Sequence, residues 1–271
     1  MTALALHQTP TAPSRGSRLR RFASLVRAET TILLRNQTAV FTAVALPLAM
    51  AFAFSQFTLD GMGLGAMLTM MLVATSLLFV VYFTLVTSLV ARREQHALKR
   101  LFAGEPTRIE ILLAPAAPLW ALFVVQSALG IVGAVLLGTP IAHPLALVAA
   151  VVGGATAWTG IAVVSASWTR TVESAQLTTM PLMMISILFS GFSIPLDVLP
   201  AAAQPLAHWL PMTPVIDLIT LAYAGTGTDG APVAGFADAG LATLQMLLPL
   251  VVWAAVCFWL GLRTFRWDAR S

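Results

Sequence analysis

Long apolar runs broken by short polar stretches set the pattern of this chain. Six of them cover residues 38–57, 64–90, 109–137, 145–168, 175–192 and 241–262. A hydrocarbon core about 30 Å thick needs about 20 helical residues to cross it, so each run predicts a spanning helix. Pro47 lies in the middle of the first run and predicts a kink. Pro115 and Pro118 interrupt the third, so its first turns predict a separate short helix. Residues 18–36 carry a different pattern. Leu19, Phe22, Val26 and Leu33 recur on one helical face, with Arg20, Arg21, Arg27 and Arg35 largely on the others. That is an amphipathic helix suited to the headgroup plane, or to a soluble partner. Residues 1–17 have no periodicity and predict a disordered tail.

Residues 193–240, between the fifth and sixth runs, break the pattern. They hold Pro195, Pro200, Pro205, Pro211 and Pro214, then Gly225, Gly227 and Gly230, yet stay apolar through Leu196, Leu199, Trp209, Ile216 and Leu221. A soaked loop would be more polar, so the segment predicts short helices that re-enter the outer leaflet and rest on the bundle. The fold expected is an all-α membrane protein. Its six transmembrane helices form one domain over residues 37–271, with an N-terminal amphipathic interfacial helix and a re-entrant helical segment between spans five and six.

Composition and charge sharpen this picture. Of 271 residues 58% are hydrophobic and 10% charged, against about 25% charged in soluble domains. A surface so poor in charge predicts lipid as the solvent. The net charge of +4 matters less than its placement, because all 15 Lys and Arg fall before the first run, in residues 91–108, at Arg170 or after the sixth run. Asp60, Asp197, Asp217, Asp229 and Asp238 occupy the alternate breaks. The positive-inside rule then predicts a multi-pass protein of the cytoplasmic membrane with both termini in the cytoplasm. The late basic stretch at Arg15–Arg21, followed by amphipathic sequence, predicts no cleavable signal peptide.

Several chemistries are excluded or disfavoured. A P-loop needs Gly-x-x-x-x-Gly-Lys followed by Ser or Thr, but the only lysine, Lys99, precedes Arg100. Any ATP drive must therefore come from a partner. The spans hold no central Asp, Glu, Lys or Arg, which speaks against an ion-coupled antiporter and for an apolar or amphiphilic cargo. His7, His96, His143 and His208 are too dispersed for a metal site, and Cys257 lies alone in an apolar run. Ser193, His208 and Asp217 lack the Gly-x-Ser-x-Gly elbow of a hydrolase. Topology accounts for the Arg clusters without nucleic acid.

Two spans carry small polar stripes. Thr69, Ser76 and Thr87 share a face of the second, and Thr179, Met183, Ser186 and Ser190 a face of the fifth, with Gln176 nearby. Such stripes line a translocation path or serve as helix-packing glue. The segment RREQHALKRLFAGEPTR, Arg92 to Arg108, sets Leu98, Leu101 and Phe102 beside Glu94, Lys99 and Arg100. An apolar ridge edged by charge suits a groove on a soluble partner; the plainer reading is a solvated positive-inside loop.

Two motifs carry a family resemblance. Arg93, Glu94, Leu98, Lys99, Arg100 and Leu101, then Pro106, Ile111 and Leu112, resemble the coupling segment of ABC-2-type transporter permeases, particularly small bacterial drug-export permeases. His96 and Ala97 replace that family's Gly-Thr pair. Ser190, Gly191, Phe192, Pro195, Leu196, Leu199 and Pro200, with Pro214 later, resemble the exit of its fifth span. The resemblance covers nearly the whole chain. It implies a transport subunit without enzymatic activity, paired with a second permease subunit, identical or not, and driven by a separate ABC ATPase dimer. ATP and Mg2+ would be held by that dimer, with no cofactor in this chain. It implies an ATPase-coupling role for Arg93, Glu94, Leu98, Lys99, Arg100, Leu101 and Phe102 within residues 91–108, and a path at the second and fifth spans. Gly191, Phe192, Pro195, Leu199, Pro200 and Pro214 become an external gate or re-entrant element. The cargo implied is a hydrophobic or amphiphilic compound such as a drug or antibiotic. Export of a lipid or polysaccharide is the alternative, and a non-transport membrane enzyme or scaffold is the alternative of another class.

Overall fold

A computed structural model describes residues 15–54, 63–95, 107–191, 196–200, 202–228 and 230–265. Among them the regular structure is helical apart from one isolated bridge between Thr226 and Pro232. The expected tail lies mostly outside the described residues, and helix α1, Arg15–Arg35, begins within its last residues. Helix α2 covers Gln37–Phe54 and α3 covers Leu64–Glu94, with a π-helical stretch at Leu77–Phe83. A short α4, Arg108–Leu113, precedes α5, Ala116–Leu136. The break between them falls at Ala114–Pro115, as the paired prolines predict. Then come α6, Pro144–Trp168, and α7, Val172–Phe189. Two short helices, α8 at Gln204–His208 and α9 at Thr213–Ala224, lead to α10, Phe236–Thr264.

Five helices, α3, α5, α6, α7 and α10, are long and apolar enough to cross a membrane. Residues Ala43–Ala53 of α2 form a shorter apolar helix, as does α9. Three helix starts precede their apolar runs, and capping explains it. Thr171 and Ser174 form a reciprocal capping box ahead of α7, Pro144 opens α6, and Gly235, at φ +94°, turns the chain into α10.

Small residues set the packing. A methyl on Gly65 would stand 2.6 Å from the Ala134 Cα, and one on Gly130 2.9 Å from the Thr69 Cα. The antiparallel pair α3–α5 therefore touches backbone to backbone. Gly153 meets Leu247 and Leu250, Gly160 meets Cys257, and Gly261 meets Val163. Those numbers rise together, so α6 and α10 run parallel. At the centre Tyr82 packs edge-on against the fully buried Trp158, ring centroids 5.3 Å apart, and its hydroxyl meets Ser165. The π-helical turn around Tyr82, which periodicity did not foresee, aims the ring this way.

A polar node ties three helices inside this apolar interior. Pro47 has no N–H, so the Ala43 carbonyl four residues earlier loses its helical donor. The Gln126 amide of α5 supplies one, with Nε2 2.8 Å from that carbonyl. Its Oε1 accepts from the Ser76 hydroxyl of α3. Both side chains are buried.

The ends of the helices sort by charge. Arg92, Arg93, Arg108, Arg170 and Arg263 gather at one end, and every other described cation lies on α1. Helix α9 works inward from the opposite end. The Ala222 carbonyl accepts from the amides of Ala142 and His143 just before α6. At its other terminus, Val215 lies against Gly154, about 15 Å along α6 from Pro144 at 1.5 Å per residue.

Replacing Gln126 with Leu strands the Ala43 carbonyl and is expected to lower stability by about 1–2 kcal/mol. Adding Pro47→Leu restores the helical donor and should recover most of that loss. Unfolding of both single variants and the double variant in detergent measures the coupling; additive losses would refute the node.

Candidate functional site

The last turn of α3 holds three charged residues with three different destinations. Arg92 pairs with Glu29, the sole carboxylate of α1. Arg93 turns inward and is fully buried. Its guanidinium donates to the Ala166 carbonyl at 2.9 Å, to that of Thr169, and to that of Arg170 at 3.2 Å. These carbonyls end α6, where the helix has no N–H left to offer and its dipole is negative. Glu94 is exposed, and its Oε1 accepts from the Val172 amide, the first residue of α7, at 3.2 Å. A carboxylate belongs at a helix N-terminus for the converse reason.

Two neighbouring side chains of opposite charge thus grip the end of one helix and the beginning of the next. The link between α6 and α7, residues 169–171, is held from α3 on both sides. A cavity of about 360 Å3 lies beside this clamp, lined by Glu29, Asn36, Thr87, Arg92, Gln95 and Pro118. Thr107 and Glu110 close a capping box at the start of α4, so the chain re-enters the bundle with its first turn fixed. A displacement of the segment between Glu94 and Thr107 would pull on α1, α6 and α7 together.

Residues 20–223 match the family model described as ABC-2 type transporter. The chain belongs to the ABC-2 type transporter family. No curated protein matches it. The match runs from Arg20 within α1 through all but the last residue of α9, and includes the clamp. With its long apolar helices this makes the chain a multi-pass membrane permease.

Within this ABC-2 permease the expected coupling residues divide. Arg93 and Glu94 form the clamp, while Leu98, Lys99, Arg100, Leu101 and Phe102 lie outside the described residues. Of the path residues, Thr69 is buried with its hydroxyl 3.0 Å from the Tyr223 hydroxyl of α9, and Ser76 is bonded to Gln126. Thr87 is half-buried at the charged-end cavity. Thr179, Met183, Ser186 and Ser190 are buried, whereas Gln176 is exposed. The two stripes do not form one surface. Thr69 and Ser76 turn to α9 and α5, and α7 meets α3 along residues 77–94. Among the described residues the Ser186 and Ser190 hydroxyls have no hydrogen-bond partner.

Of the gate residues, Gly191 adopts φ +79° just past α7, the left-handed conformation that ends a helix without a Cβ clash. Leu199 accepts from Gln204 Nε2 at 3.0 Å, Pro200 accepts from the Ala203 amide at 2.7 Å, and Pro214 sits in the first turn of α9. Phe192 and Pro195 lie outside the described residues.

Sequence reasoning passed over Glu29, Gln126 and the inward turn of Arg93. Two of these had a signal: a lone acid in a basic helix, and a lone amide in an apolar run.

Arg93→Leu keeps bulk and removes every donor to the end of α6. It is expected to cost about 1.5–3 kcal/mol of stability. Glu94→Gln keeps an acceptor for Val172 and should cost less; thermal unfolding in detergent compares the two.

Proposed function

We propose that this chain is the membrane half of an ATP-driven exporter in the cytoplasmic membrane, moving a hydrophobic or amphiphilic compound such as a drug or antibiotic. The observation that carries the reading is the Arg93–Glu94 clamp. Residues 91–108 form the coupling segment, with Leu98, Leu101 and Phe102 as the ridge that a separate ABC ATPase dimer grips. Closure of that dimer on ATP displaces the ridge, and the clamp delivers the displacement to α6 and α7 at once. ATP and Mg2+ belong to the partner, since Lys99 is followed by Arg100.

In this reading α2 joins the five longer helices to give six spans with both termini cytoplasmic. The gathering of the described arginines on α1 and at one end of the bundle supports that orientation. Helix α1 lies in the headgroup plane with Arg20, Arg27 and Arg35 exposed. Residues 193–240 re-enter from outside, supported by the depth of α9 against Gly154 and by its cover from α3, α6 and α10. The path runs beside α7, where two buried hydroxyls await a partner. A second permease subunit packs on the other face of α7, which exposes Leu177, Met180 and Met184. Lipid as cargo is the second reading, favoured by a groove of about 800 Å3 between α6 and α10, lined by Val148, Val152, Leu244, Leu247, Val251 and Phe258.

Purified with its ATPase, the permease should hydrolyse ATP in response to an amphiphilic substrate. Glu94→Ala or Leu98→Asp should leave membrane insertion intact and cut substrate-driven transport about tenfold relative to hydrolysis. Full transport in both variants would sink the coupling assignment. Met180→Cys or Met184→Cys in a Cys257→Ala background should cross-link between two copies in membranes; no disulfide at either position argues against this dimer face.

A further inference from the structure

The segment between α7 and α10 carries two ionisable groups into an apolar setting. His208 ends α8 and Asp217 lies one turn into α9, with Nδ1 3.7 Å from Oδ2. Their depth follows from the neighbouring residue. The Trp209 carbonyl accepts from Trp253 Nε1 at 2.8 Å. Trp253 falls between Leu250, which meets Gly153, and Cys257, which meets Gly160. Trp209 is therefore level with a part of α6 about 15–20 Å beyond Pro144. A cavity of about 490 Å3 opens beside the pair, lined by Trp209, Gln245, Met246, Pro249, Ala231 and Val233 among others. That is the size of a small-molecule site. His208 and Asp217 are its only titratable lining groups among the described residues.

Charge complementarity names the occupant. The Asp217 side chain keeps 18% of its surface exposed, enough for an approaching cation. The 3.7 Å separation is too long for a strong hydrogen bond, so the imidazole is a loose partner. Trp209 offers an aromatic face to a cation.

We propose that this cavity binds a lipophilic organic cation, with Asp217 as its counter-ion, Trp209 against its apolar body and His208 as the group it displaces. This rests on the exporter reading and deepens it by naming the charge class of the cargo. The sign of the pH dependence follows from the pair. At low pH the imidazolium occupies the carboxylate, so a cation binds weakly. As pH rises through the His208 value the carboxylate is left uncompensated and binding tightens.

The test uses tetraphenylphosphonium, a permanent cation with no proton to titrate, and neutral triphenylphosphine oxide. Both are bound to the full chain in lipid nanodiscs without ATPase. Wild type should bind the cation more tightly at about pH 8.5 than at about pH 6, and His208→Gln should remove that difference. Asp217→Asn should weaken cation binding about 30-fold or more and leave the oxide unchanged. Ala242→Trp, which fills the cavity and keeps both charges, should abolish cation binding even if Asp217→Asn fails to fold. Equal cation affinity in wild type and a folded Asp217→Asn, or retention by Ala242→Trp, overturns the proposal. Because the permease is assayed alone, a lost response of the ATPase complex with cation binding intact would count against the exporter reading only.

Discussion

Hydrocarbon offers no hydrogen bonds, so a backbone carbonyl that a helix leaves unmatched must be met from within the chain. Much of this structure follows from that constraint. Pro47 frees the Ala43 carbonyl, and Gln126 reaches from another helix to meet it, taking Ser76 along. The final carbonyls of α6 are met by Arg93 from α3. Each answer joins elements distant in sequence, so the polar groups that lipid penalises become the cross-links of the bundle.

The same constraint gives the charged end its mechanical character. Arg93 could not be buried beside ordinary helix, because its charge would be uncompensated. It is buried where a helix stops and presents a negative end. Glu94 finds the complementary positive end where α7 starts. The polarity of two helix termini therefore accounts for Arg-Glu in that order on α3. Arg92, one residue earlier, pairs with Glu29 and brings α1 into the same assembly. The family match covers all of these elements.

At the other end the chain solves a harder version of the problem. Residues 193–240 are too rich in Pro and Gly to form a span, yet within them α9 packs beside α6. The Trp209 carbonyl is matched by Trp253, and Tyr223 bonds to Thr69. Within this covered backbone His208 and Asp217 lie together beside a cavity. An apolar span is a poor host for such a pair; a folded-back loop with neighbours on several sides can keep it.

The long helices were legible because spanning is a local property: twenty apolar residues declare it without neighbours. Charge placement along the chain and the Arg93–Glu94 motif were legible for the same reason. Helix starts such as Val172 and Phe236 were not, since caps and turns rather than apolar runs decide them. Small polar stripes announced themselves by spacing, but spacing does not say what a stripe faces. Only the tertiary structure gave Thr69 to Tyr223 and Ser76 to Gln126, and left the Ser186 hydroxyl without a partner among the described residues. The pairing of two loop residues was equally hidden. The apolar, Pro-rich sequence of 193–240 predicts short helices resting on the bundle, but only the structure brings His208 and Asp217 together. By itself the sequence determined which segments can live in lipid and which must stay at its edge, because that depends on the residues of each segment alone. The tertiary structure decided where the few polar groups point, because a hydrogen bond or an ion pair needs a partner that only folding brings near.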